Sequence, residues 1–113
     1  MREQNSIQIF DEGEKLPDLP KGLKTDIEAI SPFGFKIVEF EGKAMWQAGS
    51  EQDYRESEAK RLEISPDDVV IDTLCHQTGP TSCSGGCNPM VTPPRTCRLL
   101  YNPTGHYYYC SCV

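Results

Sequence analysis

A chain of 113 residues has the length of one domain, and a folded unit of ~60 to 80 residues buries only about 60% of its extended surface, so any core is thin. Its formal charge of −6 is unevenly spread: all 17 Asp and Glu lie at or before Asp72, and beyond it only Arg95 and Arg98 are charged. That balance excludes nucleic acid as a partner, which needs a basic face, and no apolar run approaches the roughly 20 residues of a membrane span.

Residues 1–74 form an acidic, cysteine-free region, and residues 75–113 form an acid-free region that holds all six cysteines. A solvated surface ordinarily mixes charges along its length, so the two stretches read as functionally distinct parts. The first residues lack the apolar core of a secretory signal, which points to synthesis in the cytoplasm and later export of the matured tail.

In chain order, Ser6 to Phe10 alternates apolar and polar residues and predicts a short strand with Ile7 and Ile9 on one face. Asp11 to Gly22 carries two prolines and two glycines and reads as a loop. Thr25 and Glu28 have capping-box spacing, in which hydroxyl and carboxylate each satisfy a free backbone N–H, and predict a short helix before Ser31-Pro32. Phe35 to Ala48 is a hairpin signal, two alternating runs around Glu41-Gly42, with Phe40 facing Lys43, Val38 facing Met45 and Ile37 facing Trp46. Ser50 and Asp53 cap a second helix, expected to be exposed because Tyr54, Ala59 and Leu62 make a poor apolar stripe. Ser65, with Pro66, Asp67 and Asp68 after it, starts a third, running from Pro66 toward Leu74.

Beyond Cys75 turns dominate, with five of the nine prolines and eight Ser/Thr in 39 residues. The exception is Gly105 to Val113, which is set to pair with Thr96 to Tyr101 across Asn102-Pro103-Thr104 and needs a partner or crosslinks to persist. The expected fold class is small α+β: an acidic region with a β-hairpin and short helices, then an irregular cysteine-rich tail.

Cys75, Cys83, Cys87, Cys97, Cys110 and Cys112 are the crosslink candidates. Cys110 and Cys112 project to one face of a strand, and Cys83 and Cys87 stand one helical turn apart. In this spacing the tail resembles the defensin-like cysteine-stabilised αβ peptides, although Gly85-Gly86 and Pro89 sit where that family has its helix. The resemblance covers the tail alone and implies pairing of first with fourth, second with fifth and third with sixth cysteine. Metal ligation is a further alternative, through Cys75-His76 and the other thiols, but structural zinc uses paired short-spaced cysteines and only one such pair is present. No metal ligand or cofactor is assigned.

The layout of the whole chain resembles that of long-leader precursors of ribosomally synthesised, post-translationally modified peptides. That likeness implies an acidic leader gripped by a modifying enzyme and a core matured by crosslinking, thioethers included. It makes Thr78, Thr81, Ser82, Ser84, Thr92, Thr96, Thr104 and Ser111 dehydratable hydroxyls held near thiols, and Gly86 a cleavage position. Phe35, Ile37, Val38, Phe40 and Trp46 then offer the partner enzyme an extended recognition segment. No catalytic residue is assigned, because His76 beside Cys75 is not made a base by adjacency. The expected function is a precursor peptide matured by a partner enzyme; the alternative is a non-enzymatic, disulfide-stabilised binding or defence module.

Overall fold

A computed structural model of the chain describes residues 7–10, 23, 32–71, 74–90 and 92–113. The loop expected over 11–22 and the helix expected over 25–30 lie outside the described residues.

Two local hairpins start the architecture. The first joins β2 (Phe35–Phe40) to β3 (Lys43–Ala48), with Phe40 opposite Lys43, Val38 opposite Met45 and Ile37 opposite Trp46, as the alternation predicts. Glu41 and Gly42 both take positive φ, 51° and 77°, the backbone that lets a two-residue turn follow the strand twist. The second joins β6 (Cys97–Asn102) to β7 (Tyr107–Cys112), again in the expected pairing. Non-local pairing then fuses them: β7 lies against β2, and β1 (Gln8–Phe10) against β6, in a five-stranded antiparallel sheet of order β1-β6-β7-β2-β3. The sheet draws strands from both sides of the compositional border at residues 74 and 75.

As the middle strand, β7 is buried along its whole length. Its alternating side chains serve two cores. Tyr108, Cys110 and Cys112 join Phe10 and Leu99 on one face, with Ile37 and Trp46 packed against them. Tyr107 and Tyr109 join Leu100 on the other, where α1 (Glu51–Leu62) contributes Tyr54 and Ala59. A smaller hairpin of β4 (Cys75–Gly79) and β5 (Ser82–Gly85) belongs to the first face. The disulfides Cys75–Cys97, Cys83–Cys110 and Cys87–Cys112 attach it there, with Cα separations of 5.3, 5.9 and 6.0 Å. Gly34, at φ +93°, passes so close to β7 that a Cβ would meet the Tyr108 carbonyl oxygen and lie 2.8 Å from Tyr109 Cβ, so only glycine fits that crossing.

The expected α+β class is corrected by this arrangement: among the described residues the protein is mostly β, with two sheets, one α-helix and a single 3-10 turn. The cysteine-rich tail is four strands rather than irregular chain, because crosslinks and the neighbours β1 and β2 supply what isolated hairpins lack. The helix expected from Pro66 toward Leu74 stops after one turn, Pro66–Asp68. Ser65 caps it, but the Arg55 guanidinium takes the carbonyls of Pro66 and Val69 at 3.1 Å each, and the β-branched Val69, Val70 and Ile71 favour extended backbone. Cys83 and Cys87 are not on a helix either, since Cys83 lies in β5 and Gly85 adopts φ +97° against the Leu74 carbonyl.

Candidate functional site

α1 begins where the sequence sets it. Ser50 Oγ accepts from Asp53 N at 3.1 Å and the Asp53 carboxylate accepts from Ser50 N at 2.9 Å, a complete capping box. Burial works against the Asp53 charge, but the Ser50 backbone N–H and Lys36, 3.2 Å away, outweigh it and hold the carboxyl below its ordinary range. The helix is not exposed as expected. It turns a mainly polar stripe, Tyr54, Ser57 and Glu58 beside Ala59, into the sheet.

That stripe is matched donor for acceptor by β6 and β7. Glu58, only 3% exposed, receives Tyr109 OH at 2.9 Å and Ser111 Oγ at 2.5 Å from the strand. It also receives Arg61 Nε and Nη2 at 2.7 and 2.9 Å from the next helical turn. Ser57 Oγ accepts from Asn102 Nδ2 at 3.0 Å, and Tyr54 OH lies 3.4 Å from Ser111 Oγ. A buried carboxylate is tolerated only with such full satisfaction. Glu58 in turn raises Arg61 above its usual value against the opposing effect of burial. Burial first, and then the Glu58 charge, pushes the Tyr109 hydroxyl far above the ordinary phenol range, and burial does the same to Tyr107.

Over this network opens a cavity of about 450 Å³. Tyr54, Glu58, Ser111 and Cys112 are among the residues that line it, with Leu62, Ile64, Val70 and Leu74 as its exposed apolar side chains. Those four are half of the large apolar side chains left exposed among the described residues, Val70 at 83% and Leu74 at 52%. Scattered apolar residues on a surface need no explanation, whereas several lining one concavity make it a candidate binding surface. Arg61, Asp68 and Arg95 add charge at the cavity. Among the described residues no group of three or more His, Cys, Asp or Glu is placed to hold a metal, and no helix is long and apolar enough to cross a membrane.

The residues singled out from sequence fall in several places. All six cysteines are brought together, in the first-to-fourth, second-to-fifth, third-to-sixth order that the defensin-like resemblance implies, but without that family's helix. Thr78, Ser82, Ser84, Thr92, Thr96 and Thr104 are exposed and Thr81 is half-buried, while Ser111 is buried on Glu58. Gly86 is exposed in the stapled loop after β5. Of the recognition segment, Phe35 is buried and Ile37 and Trp46 pack on the disulfide-side core; Val38 is half-buried, and Phe40 is left outward at 62% exposure. Sequence reasoning missed Glu58, Arg61 and the cavity. The available signal was helical spacing: Tyr54, Glu58 and Arg61 share one face of α1, opposite a strand of three tyrosines that needs an acceptor.

Fold and site together define a small, disulfide-stapled, mostly β protein with a cavity beside its one described helix. No protein-family model matches the chain, and no solved structure does. Over 119 residues it is 31% identical to the uncharacterized protein YozP of Bacillus subtilis (strain 168), a match covering 99% of this chain and 98% of that protein. The chain belongs to the family of YozP.

Proposed function

We propose that the protein is a non-enzymatic, disulfide-stabilised binding module whose ligand occupies the cavity between α1, the segment after it and the end of β7. The observation that carries this reading is that four exposed large apolar side chains line one concavity of about 450 Å³, within the usual size of small-molecule sites. The polar network that lines it is already satisfied within the protein, so Glu58 and Ser111 act as fixed lining rather than as reacting groups. Three disulfides persist in oxidising surroundings, which supports reading the folded molecule as one that works outside a reducing cytosol.

The precursor reading draws less support. Strand β2 of the acidic region pairs with β7 of the tail, so removing a leader tears the sheet. A cut after Gly86 leaves the pieces joined by Cys75–Cys97 and Cys83–Cys110. The intact mass of protein from its natural producer separates the two readings. A deficit of two hydrogens per disulfide fits the module, and losses in units of water fit a dehydrated precursor.

The binding surface itself is tested with an anilinonaphthalene sulfonate dye. Its fluorescence should rise on the oxidised protein and return to baseline with Val70→Asp, whose side chain is too exposed to carry the fold. Dye that ignores the protein, or binds the variant equally well, sinks the cavity as a binding site.

A further inference from the structure

The charges at the cavity are of two kinds. Glu58 and Arg61 face one another and largely neutralise each other. Asp68 and Arg95 line the same cavity from different segments, Asp68 at the end of the 3-10 turn and Arg95 in the stretch leading to β6. Among the described residues the ion pairs are Lys36–Asp53, Arg55–Glu51 and Arg61–Glu58, so Asp68 and Arg95 pair neither with each other nor with another described side chain. A concavity of mixed polar and apolar lining thus carries one carboxylate and one guanidinium outside those ion pairs.

We infer that the cavity takes a small zwitterion with an apolar body, of the class of an α-amino acid with a large aliphatic or aromatic side chain. The inference rests on the cavity being the binding site, as proposed above. The apolar side chain lies against Leu62, Ile64, Val70 and Leu74, Arg95 meets the carboxylate as a planar fork, and Asp68 meets the ammonium. A ligand bearing one charge engages one of these groups and leaves the other to water. A neutral apolar ligand engages neither, so the cavity discriminates by charge pattern as much as by shape.

The test follows methyl signals of Val70 and Leu74 by NMR while oxidised protein is titrated with L-leucine, leucine amide, N-acetyl-leucine and N-acetyl-leucine amide. Leucine should bind about tenfold more tightly than either singly charged analogue, a charge-assisted contact being worth roughly that factor. Arg95→Gln should reduce leucine to the level of leucine amide, and Asp68→Asn to the level of N-acetyl-leucine. Equal affinities across the four probes overturn the inference, as does leucine binding unchanged in both variants. Dye binding without leucine binding defeats the amino-acid assignment and leaves the cavity reading standing; failure of both removes the site altogether.

Discussion

Glu58 shows how a residue that looks like surface charge becomes structural. It sits among Glu56, Lys60 and Arg61 in a stretch with few apolar side chains, yet it is the acceptor on which Tyr109, Ser111 and Arg61 converge. Removing one member of a buried, hydrogen-bonded charge pair typically costs ~3 to 5 kcal/mol, because the partners are left in a low-dielectric place without the group they were arranged for. Glu58→Ala should therefore lower urea-unfolding stability by about that much. Glu58→Gln should cost less, since the amide oxygen still accepts a hydroxyl while the charge set against Arg61 is gone. Stability of Glu58→Ala within ~0.5 kcal/mol of the parent, the size of an ordinary surface substitution, would refute the role assigned to the network.

At the level of elements, what was legible in the sequence is what is decided within a few residues. The capping box at Ser50 and Asp53 reads correctly because both partners lie in one turn of chain. The register of β2 on β3 reads correctly because Glu41-Gly42 fixes where the strands fold over. Misreadings arise where a distant group intervenes: Arg55 reaches forward to the carbonyls of Pro66 and Val69, and the polar face of α1 finds an amide and two hydroxyls 45 to 53 residues further on. The crosslinked loop belongs to this scale as well. Cys87–Cys112 anchors the chain beside Asn88, and both Asn88 and Cys112 line the cavity. Replacing the pair with Cys87→Ser and Cys112→Ser should cost ~2 to 4 kcal/mol in stability and weaken dye binding, with the other two disulfides keeping the fold. Dye affinity unchanged in a folded double variant would show that this bond does not shape the cavity.

For the whole molecule, the central strand makes alkaline pH the weak direction. Tyr107 and Tyr109 are held far above the ordinary phenol value of 10.0 by burial, reinforced at Tyr109 by the Glu58 carboxylate. Tyr108 is pushed up to about 12 by burial and by Tyr101. A group whose folded pKa is raised binds its proton more tightly in the native state, so its contribution is complete below pH 10 and is lost as pH rises further. Stability should fall steeply above that point, and tyrosinate absorbance should appear in step with loss of near-ultraviolet circular dichroism. Complete titration of the five tyrosines below pH 10 with the fold intact would contradict the burial of β7.

The sequence by itself determined the local hairpins, the start of the helix at Ser50, the concentration of sulfur at one end and the alternation that sends Cys110 and Cys112 to one face. Those features depend on turn geometry, capping and the two-residue period of a strand, all of which act between neighbours. Only the tertiary structure decided that β2 and β7 share a sheet, that a charged helix face is interior, and that a cavity forms where α1, the extended segment after it and the last cysteine meet. Each of those outcomes depends on groups far apart in the chain whose hydrogen bonds and apolar surfaces are satisfied only once the sheet has closed, and no window of sequence contains both partners.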